Sequence, residues 1–272
     1  LYAYDFEYDG QLLSDFGMII CDFSSSSGAS NADKGSEIKF NMVPAGYGKR
    51  FFVSGLQYDN CLSTTFQICK DPRVFPETEV GISNEELRAL SRWLNRKKFL
   101  WFRSFDWCEP EKEKPWFRAS FNLTRIESGR QTVGVDLSMV TDAPFGYGPE
   151  EELEMTFTDG SLTGFVVDQS DEMGDTYPWM RVTCGQAGTM TVENALTGCA
   201  CTVENCISGE VLTFSGETMI AETSNTNHDL ANDFNYDFFR IGNNADEREN
   251  EITVSMPCTV EIRYRPIWKD TL

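Results

Sequence analysis

Three groups of residues in this chain are of types that could do chemistry. His228 is the only histidine, so a Ser-His-Asp triad or a Cys–His pair would have to use it. It lies in the polar stretch SNTNHDLAND, and the chain has no G-x-S-x-G, no P-loop and no G-x-G-x-x-G. The expectation is a surface-loop histidine without a catalytic role. The second group is CACTVENC, with thiols at Cys199, Cys201 and Cys206. A C-x-C with a third cysteine lacks the second half of a zinc site. On a strand, Cys199 and Cys201 point to one face, as core thiols do. The third group is DQSDEMGD, where Asp168, Asp171, Glu172 and Asp175 offer hard oxygen ligands on one loop. The calcium-loop pattern D-x-D-x-D-G is absent, so a solvated acidic loop is expected. A carboxylate pair for sugar hydrolysis is defined in space, and no sequence feature selects one. The residues therefore assign no catalytic side chain, no metal ligand and no cofactor, and the chain does not read as an enzyme.

The elements that must carry these groups are strands, with one exception. In ISNEELRALSRWLNRKKFLWF, Ser83 and Glu86 have the spacing of a capping box, with Ile82 and Leu87 placed as a hydrophobic staple. No Gly, Pro or β-branched residue interrupts Asn84 to Lys98, which predicts a helix over about 84–98. Leu87, Leu90, Trp93 and Leu94 fall on one face, which should be buried. Lys97 and Lys98 suit the negative end of the helix dipole. The other face carries Arg88, Arg92 and Arg96, spaced four apart. Like charges at that spacing repel mildly, so the stripe reads as a solvated face partly neutralised by Glu85, or as a surface for a partner.

Before the helix, EIKFNMV alternates Ile38, Phe40 and Met42, and LSTTFQI places Leu62, Thr64, Phe66 and Ile68 on one face of a half-buried strand. After it, FLWF is a short apolar strand. FRASFNL and VGVDLSM then flank the turn ESGRQ and predict a hairpin. Residues 24–36, SSSSGASNADKGS, read as a polar loop. APFGYGPEEE, with two Pro, two Gly and a charge run, predicts a domain boundary near residue 146. Beyond it TGFVV, WMRVTC, TMTVEN, CACTVEN, VLTFSG, TMIAET, DFFRIG, EITVSM and TVEIRYR are short strands at regular intervals. That pattern predicts an antiparallel β-sandwich, with TMTVEN and CACTVEN as adjacent strands of one hairpin. The fold class is mainly β, in two domains, 1–146 and 147–272.

Composition narrows the partners. The chain has 272 residues, 43 acidic and 23 basic, for a net charge of −20. General electrostatic binding of nucleic acid is excluded, because phosphates are held by Lys and Arg. No run approaches 18 apolar residues, so no membrane span is expected. The first residues, LYAYDFEYDG, are acidic and lack the basic and apolar regions of a signal peptide. With no such signal, the nine cysteines are expected as free thiols made in a reducing cytoplasm.

In order and spacing these features resemble the distal tail proteins of long-tailed bacteriophages, and the resemblance spans nearly the whole chain. SDFGMIICDF, with Asp15, Phe16 and Gly17, looks like that family's early strand. The helix followed by PWFRASFNLTRIESGRQTVGVDLSMVTDAPFGYG is similar to its core signature. DFNYDFFRIGNNADERENEITVSMPCTVEIRYRPIWK looks like its closing strands. The polar loop at 24–36 and the abundance of cysteine depart from the family. The resemblance implies an N-terminal tail-tube-like domain that forms a homo-hexameric ring at the tail tip. It implies a C-terminal galectin-like or carbohydrate-module-like sandwich on which receptor-binding or baseplate proteins mount. The implied partners are the tail tube protein and tail-associated proteins, with DNA passing through the ring without specific binding. The implied location is the virion, after assembly in the host cytoplasm. Arg88, Arg92 and Arg96 then become candidates for subunit contact. A second reading is a carbohydrate-binding surface protein whose sandwich stacks sugar on Tyr177 and Trp179 of DTYPWM. The missing signal peptide and the unpaired cysteines stand against it. A glycoside hydrolase is a third reading, without a selected carboxylate pair to carry it.

Overall fold

The computed structural model describes residues 3–23, 38–45, 50–76, 79–105, 114–158, 162–244 and 246–269. The predicted loop at 24–36 and Cys108 lie outside them. The chain folds as two compact units, Leu1–Tyr147 with Lys269–Leu272, and Gly148–Trp268. Both are mainly β.

In the first unit the order is β1 (Asp5–Tyr8), β2 (Gln11–Leu12), a 3-10 turn (Leu13–Phe16), β3 (Met18–Cys21), β4 (Ile38–Ala45), β5 (Arg50–Tyr58) and β6 (Ser63–Lys70). Helix α1 (Asn84–Leu94), β7 (Leu100–Phe105), β8 (Phe117–Ser128), β9 (Gln131–Thr141) and β10 (Gly146–Tyr147) follow. Seven strands form one sheet in the order β2-β1-β7-β8-β9-β6-β3, while β4 and β5 pair with each other in a sheet of their own. The predicted hairpin is β8–β9, antiparallel throughout. Gly129 (φ 59°) and Arg130 (φ 72°) turn it; two consecutive left-handed residues match the right-handed twist of the strands they join.

The alternation of β8 puts Phe117, Ala119 and Phe121 on the core face, with Phe121 opposite Met139 of β9 and Leu123 opposite Leu137. The helix lays Leu87, Leu90, Trp93 and Leu94 on that face, each worth about 1.5–3 kcal/mol when removed from water. Trp93 is the pin. Its ring stacks on Phe6 (5.5 Å between centroids) and Phe16 (4.5 Å), and its Nε1–H donates to the Tyr8 carbonyl at 2.8 Å.

The predicted extent of the helix needs correction. It stops at Leu94 rather than near residue 98, with Asn95 at the C-cap. Propensity favours continuing through Arg96, Lys97 and Lys98. Tertiary pairing overrides it, because the chain must turn for Leu100 to pair with Ala119. The Ser120 hydroxyl donates to the Arg96 carbonyl at 3.2 Å, which takes up a group that helix continuation would have used.

The second unit runs β11 (Glu151–Phe157), β12 (Thr163–Val167), β13 (Gly174–Thr176), β14 (Trp179–Cys184), β15 (Gly188–Asn194), β16 (Cys199–Cys206), β17 (Val211–Ser215) and β18 (Ile220–Thr223). A four-residue helix α2 (Leu230–Asp233), β19 (Ile241–Asn243), β20 (Glu249–Val254), β21 (Cys258–Tyr264) and β22 (Ile267–Trp268) complete it. Two sheets, β11-β21-β14-β17-β18 and β12-β20-β15-β16, share one core. Met180, Val182, Leu212, Phe214, Val260 and Ile262 of the first sheet meet Val192, Cys201, Val203, Ile252 and Val254 of the second. This is an antiparallel sandwich. β15 and β16 are the adjacent pair predicted from TMTVEN and CACTVEN. The charge run read as punctuation is instead a strand: β11 packs Leu153, Met155 and Phe157 on the core and turns Glu152 and Glu154 to solvent.

Candidate functional site

The capping box forms as predicted. The Glu86 N–H donates to Ser83 Oγ at 3.2 Å and the Ser83 N–H to Glu86 Oε2 at 2.7 Å. Lys70 Nζ lies 2.9 Å from Glu86 Oε1 and so ties β6 to the start of the helix. Burial pushes the Glu86 carboxyl up, but Lys70 and Ser83 together hold it below its ordinary value. Of the three arginines, the structure keeps Arg88 and Arg92 exposed on the helix. Arg96 falls beyond the last turn, and its Nε–H bonds back to the Trp93 carbonyl at 3.2 Å. The early end of the helix divides the stripe.

A surface that sequence reasoning missed lies on β4–β5. Phe40, Met42, Val43, Phe51, Phe52 and Leu56 are each more than half exposed. Met42 and Val43 are consecutive, as are Phe51 and Phe52, so both faces of the ribbon are apolar. At its base Tyr58 meets Phe145 edge to face, with centroids 6.2 Å apart. An isolated two-stranded hairpin is marginal in water, and an exposed apolar patch of this kind marks an interaction surface. The alternation of EIKFNMV was the available signal, but a period of two does not say whether the apolar face meets a core or a partner.

The chemical candidates fall out differently from expectation. His228 is not a surface histidine: its side chain is 1% exposed, with Nδ1 2.5 Å from Glu210 Oε1 and Nε2 3.2 Å from Asp233 Oδ2. Glu210 also accepts from Thr223 Oγ1 (2.5 Å) and the Ile207 N–H (2.9 Å). This is a buried ion pair that fastens the 225–233 loop to Glu210, in the turn just before β17. Glu210 is too distant in sequence for any local pattern to reveal the pairing. Cys199, Cys201 and Cys206 are buried in the sandwich core with Cys184 and Cys258, and burial pushes the Cys201 thiol well up, which makes it inert. The acidic loop is not uniformly solvated either. Asp168 is buried and accepts from Ser170 Oγ at 2.9 Å. Among the described residues no group of three or more His, Cys, Asp or Glu is arranged to hold a metal ion.

Tyr177 and Trp179 occupy neighbouring positions with different partners. The Arg240 guanidinium lies 6.0 Å from the Tyr177 ring. Trp179 opens β14 on the outward face, with Arg263 at 4.9 Å and Arg181 at 5.9 Å from its ring. Glu261 sits between those two arginines and pairs with both. Glu152 Oε1 adds a contact to Arg263 Nη2 at 2.8 Å. The result is an indole beside a row of mutually oriented donors and acceptors.

Comparison with known proteins gives two family profiles in tandem. Residues 1–143 match one described as a phage tail protein N-terminal domain, and residues 145–264 match one described as a phage tail C-terminal domain. Among solved structures, the chain is similar to the Dit (gp 19.1) protein of phage SPP1, described as a paradigm of the hub adsorption apparatus in phages infecting Gram-positive bacteria. The TM-score is 0.65 over 96% of this chain and 98% of that one, at 14% sequence identity, which is a likeness of fold. No curated protein matches the chain. No helix among the described residues is long and apolar enough to cross a membrane.

Proposed function

The chain belongs to the phage tail protein family, whose two domain profiles cover it almost end to end, and from this premise we propose that it is the structural hub at the distal tip of the tail. Residues 1–146 form a homo-hexameric ring that continues the tail tube, and residues 147–272 form the galectin-like sandwich on which baseplate or receptor-binding proteins mount. The role is structural and needs no catalysis. DNA passes through the ring without specific binding, since a chain of net charge −20 repels phosphate. The protein is assembled in the host cytoplasm and resides in the virion.

The observation that carries this reading is the β4–β5 hairpin. A ribbon apolar on both faces is unfavourable in water and becomes favourable when a neighbouring subunit covers it. The description of SPP1 Dit as a hub supports the tail-tip position. Light scattering and negative-stain microscopy of the purified protein test the ring; six-membered rings are expected, and monomers at every concentration would sink it. Immunogold labelling of virions tests the position. Gold is expected at the distal end of the tail, and labelling along its length would contradict a tip role.

A second reading, glycan binding by the sandwich, rests on Trp179. The apolar face of a sugar ring can lie on an indole, while Arg181, Glu261, Arg263 and Glu152 supply oriented bonds for its hydroxyls. Titration of host cell-wall oligosaccharides against the parent and Trp179→Ala decides it. Saturable binding lost in the variant supports a glycan site, and no heat of binding to the parent removes it.

A further inference from the structure

We infer that the cleft between α1 and the β8–β9 hairpin is a docking site for a carboxylate-bearing side chain of a second copy of this chain. This rests on the ring-forming reading above and names its contact.

The cleft arises where the helix stops covering the sheet. Along the core face of β8, Phe117, Ala119 and Phe121 are buried, Leu123 is half-buried, and Arg125, the next residue in that register, is exposed. Val135, directly opposite Arg125 on β9, is buried. The helix supplies Leu87, Arg88 and Ser91 to the other wall, enclosing about 100 Å³. Small-molecule sites run to about 300–1,000 Å³, so this cleft has room for one side chain and not for a metabolite. Its floor is apolar, from Leu87, Leu123 and Val135. Its exposed lining residues are Arg88, Ser91 and Arg125, and the planar guanidinium fork of arginine suits a carboxylate.

Several cations of this unit are already paired: Lys39 with Asp59, Lys70 with Glu86, Arg73 with Asp71, Arg103 with Glu7 and Arg118 with Asp142. Among the described residues that have no such partner, Arg88 and Arg125 are the two that line the cleft. The charge is also unevenly divided along the chain. Residues 1–147 hold 17 Lys and Arg against 20 Asp and Glu, while residues 148–272 hold 6 against 23. Copies of net charge −20 repel one another, so bringing them into a ring requires local cation–carboxylate contacts to offset that repulsion. Ring contacts are heterologous, one surface meeting a different one on the next copy. An unpaired basic cleft on a chain rich in surface carboxylates fits that geometry, and symmetry repeats it at every junction.

The experiment compares the full-length parent with R88E/R125E and R88K/R125K by light scattering across concentration and salt. Near-ultraviolet circular dichroism and melting temperature confirm that all three are folded. The parent is expected to assemble, with R88K/R125K close to it. R88E/R125E is expected to need about tenfold more protein or worse. Isotopically light and heavy copies of R88K/R125K are then mixed and treated with a carbodiimide. The amine introduced at position 88 or 125 is expected to join an Asp or Glu of the other copy. Assembly of a folded R88E/R125E at the parent's concentration overturns the cleft and leaves the ring standing. A parent that is monomeric throughout overturns the ring, and the cleft's occupant with it. A labelled DNA duplex that binds the parent and is released by R88E/R125E would make the occupant a phosphate and overturn the inference.

Discussion

His228 and Glu210 form a buried ion pair, Nδ1 to Oε1 at 2.5 Å, with side chains 1% and 0% exposed. Burial pushes the imidazole down, but the Glu210 hydrogen bond and charge, with Cys206 and Asp233, carry it above its ordinary 6.5. Burial pushes the Glu210 carboxyl up, but bonds from Thr223, His228 and the Ile207 N–H bring it below its ordinary 4.5.

A pH dependence with two limbs follows. A raised imidazole stabilises fully below its unfolded value and loses that contribution as pH rises through its folded value. A lowered carboxyl stabilises above its unfolded value and loses that contribution as pH falls through its folded value. The sandwich transition is expected to melt highest at roughly pH 4.5–6.5, by calorimetry of the whole protein. His228→Ala leaves Glu210 buried without its partner and should cost about 3–5 kcal/mol. A melting temperature that is flat from acid to alkaline pH would show that the pair is not charged.

Trp93 should be the most sensitive position of the first unit. Trp93→Ala removes the stacks on Phe6 and Phe16 and should cost about 3–5 kcal/mol. Trp93→Phe keeps most of the packing but leaves the Tyr8 carbonyl without its 2.8 Å donor, at about 1–3 kcal/mol. Denaturant titration ranks the two. Equal losses would mean that the ring stacks contribute little beyond the hydrogen bond.

Phe52→Ser with Leu56→Ser should separate stability from assembly. Both residues are exposed, so folding stability should change by within about 0.5 kcal/mol while the assembled mass falls. Unchanged mass by light scattering would place the subunit contact elsewhere.

The thiols should divide by burial. Cys61 is exposed, whereas Cys201 and Cys258 are buried and desolvation lifts Cys258 to about 11. Brief alkylation of the native protein, read by mass spectrometry, should mark Cys61 and spare Cys201 and Cys258. Early labelling of Cys201 would mean that the sandwich core opens readily.

The locally encoded elements were legible in the amino-acid sequence. The Ser83–Glu86 box, the face of Leu87, Leu90, Trp93 and Leu94, and the β8–β9 hairpin around Gly129 each depend on residues a few positions apart. So did the division of the second half into short alternating strands and the shared face of Cys199 and Cys201. The order of these elements was enough to point to the phage tail family that the domain profiles identify.

Tertiary structure alone decided the rest, because each remaining feature depends on what lies opposite a residue and not on its neighbours in the chain. The helix ends at Leu94 because Leu100 must pair with Ala119. The Glu-rich run after the boundary is a strand because β21 lies beside it. His228 is buried because a loop folds over Glu210, 18 positions away. The apolar residues of β4 and β5 face solvent because the seven-stranded sheet closes its core without them. Alternation specifies two faces of a strand and is silent on which face, if either, is covered.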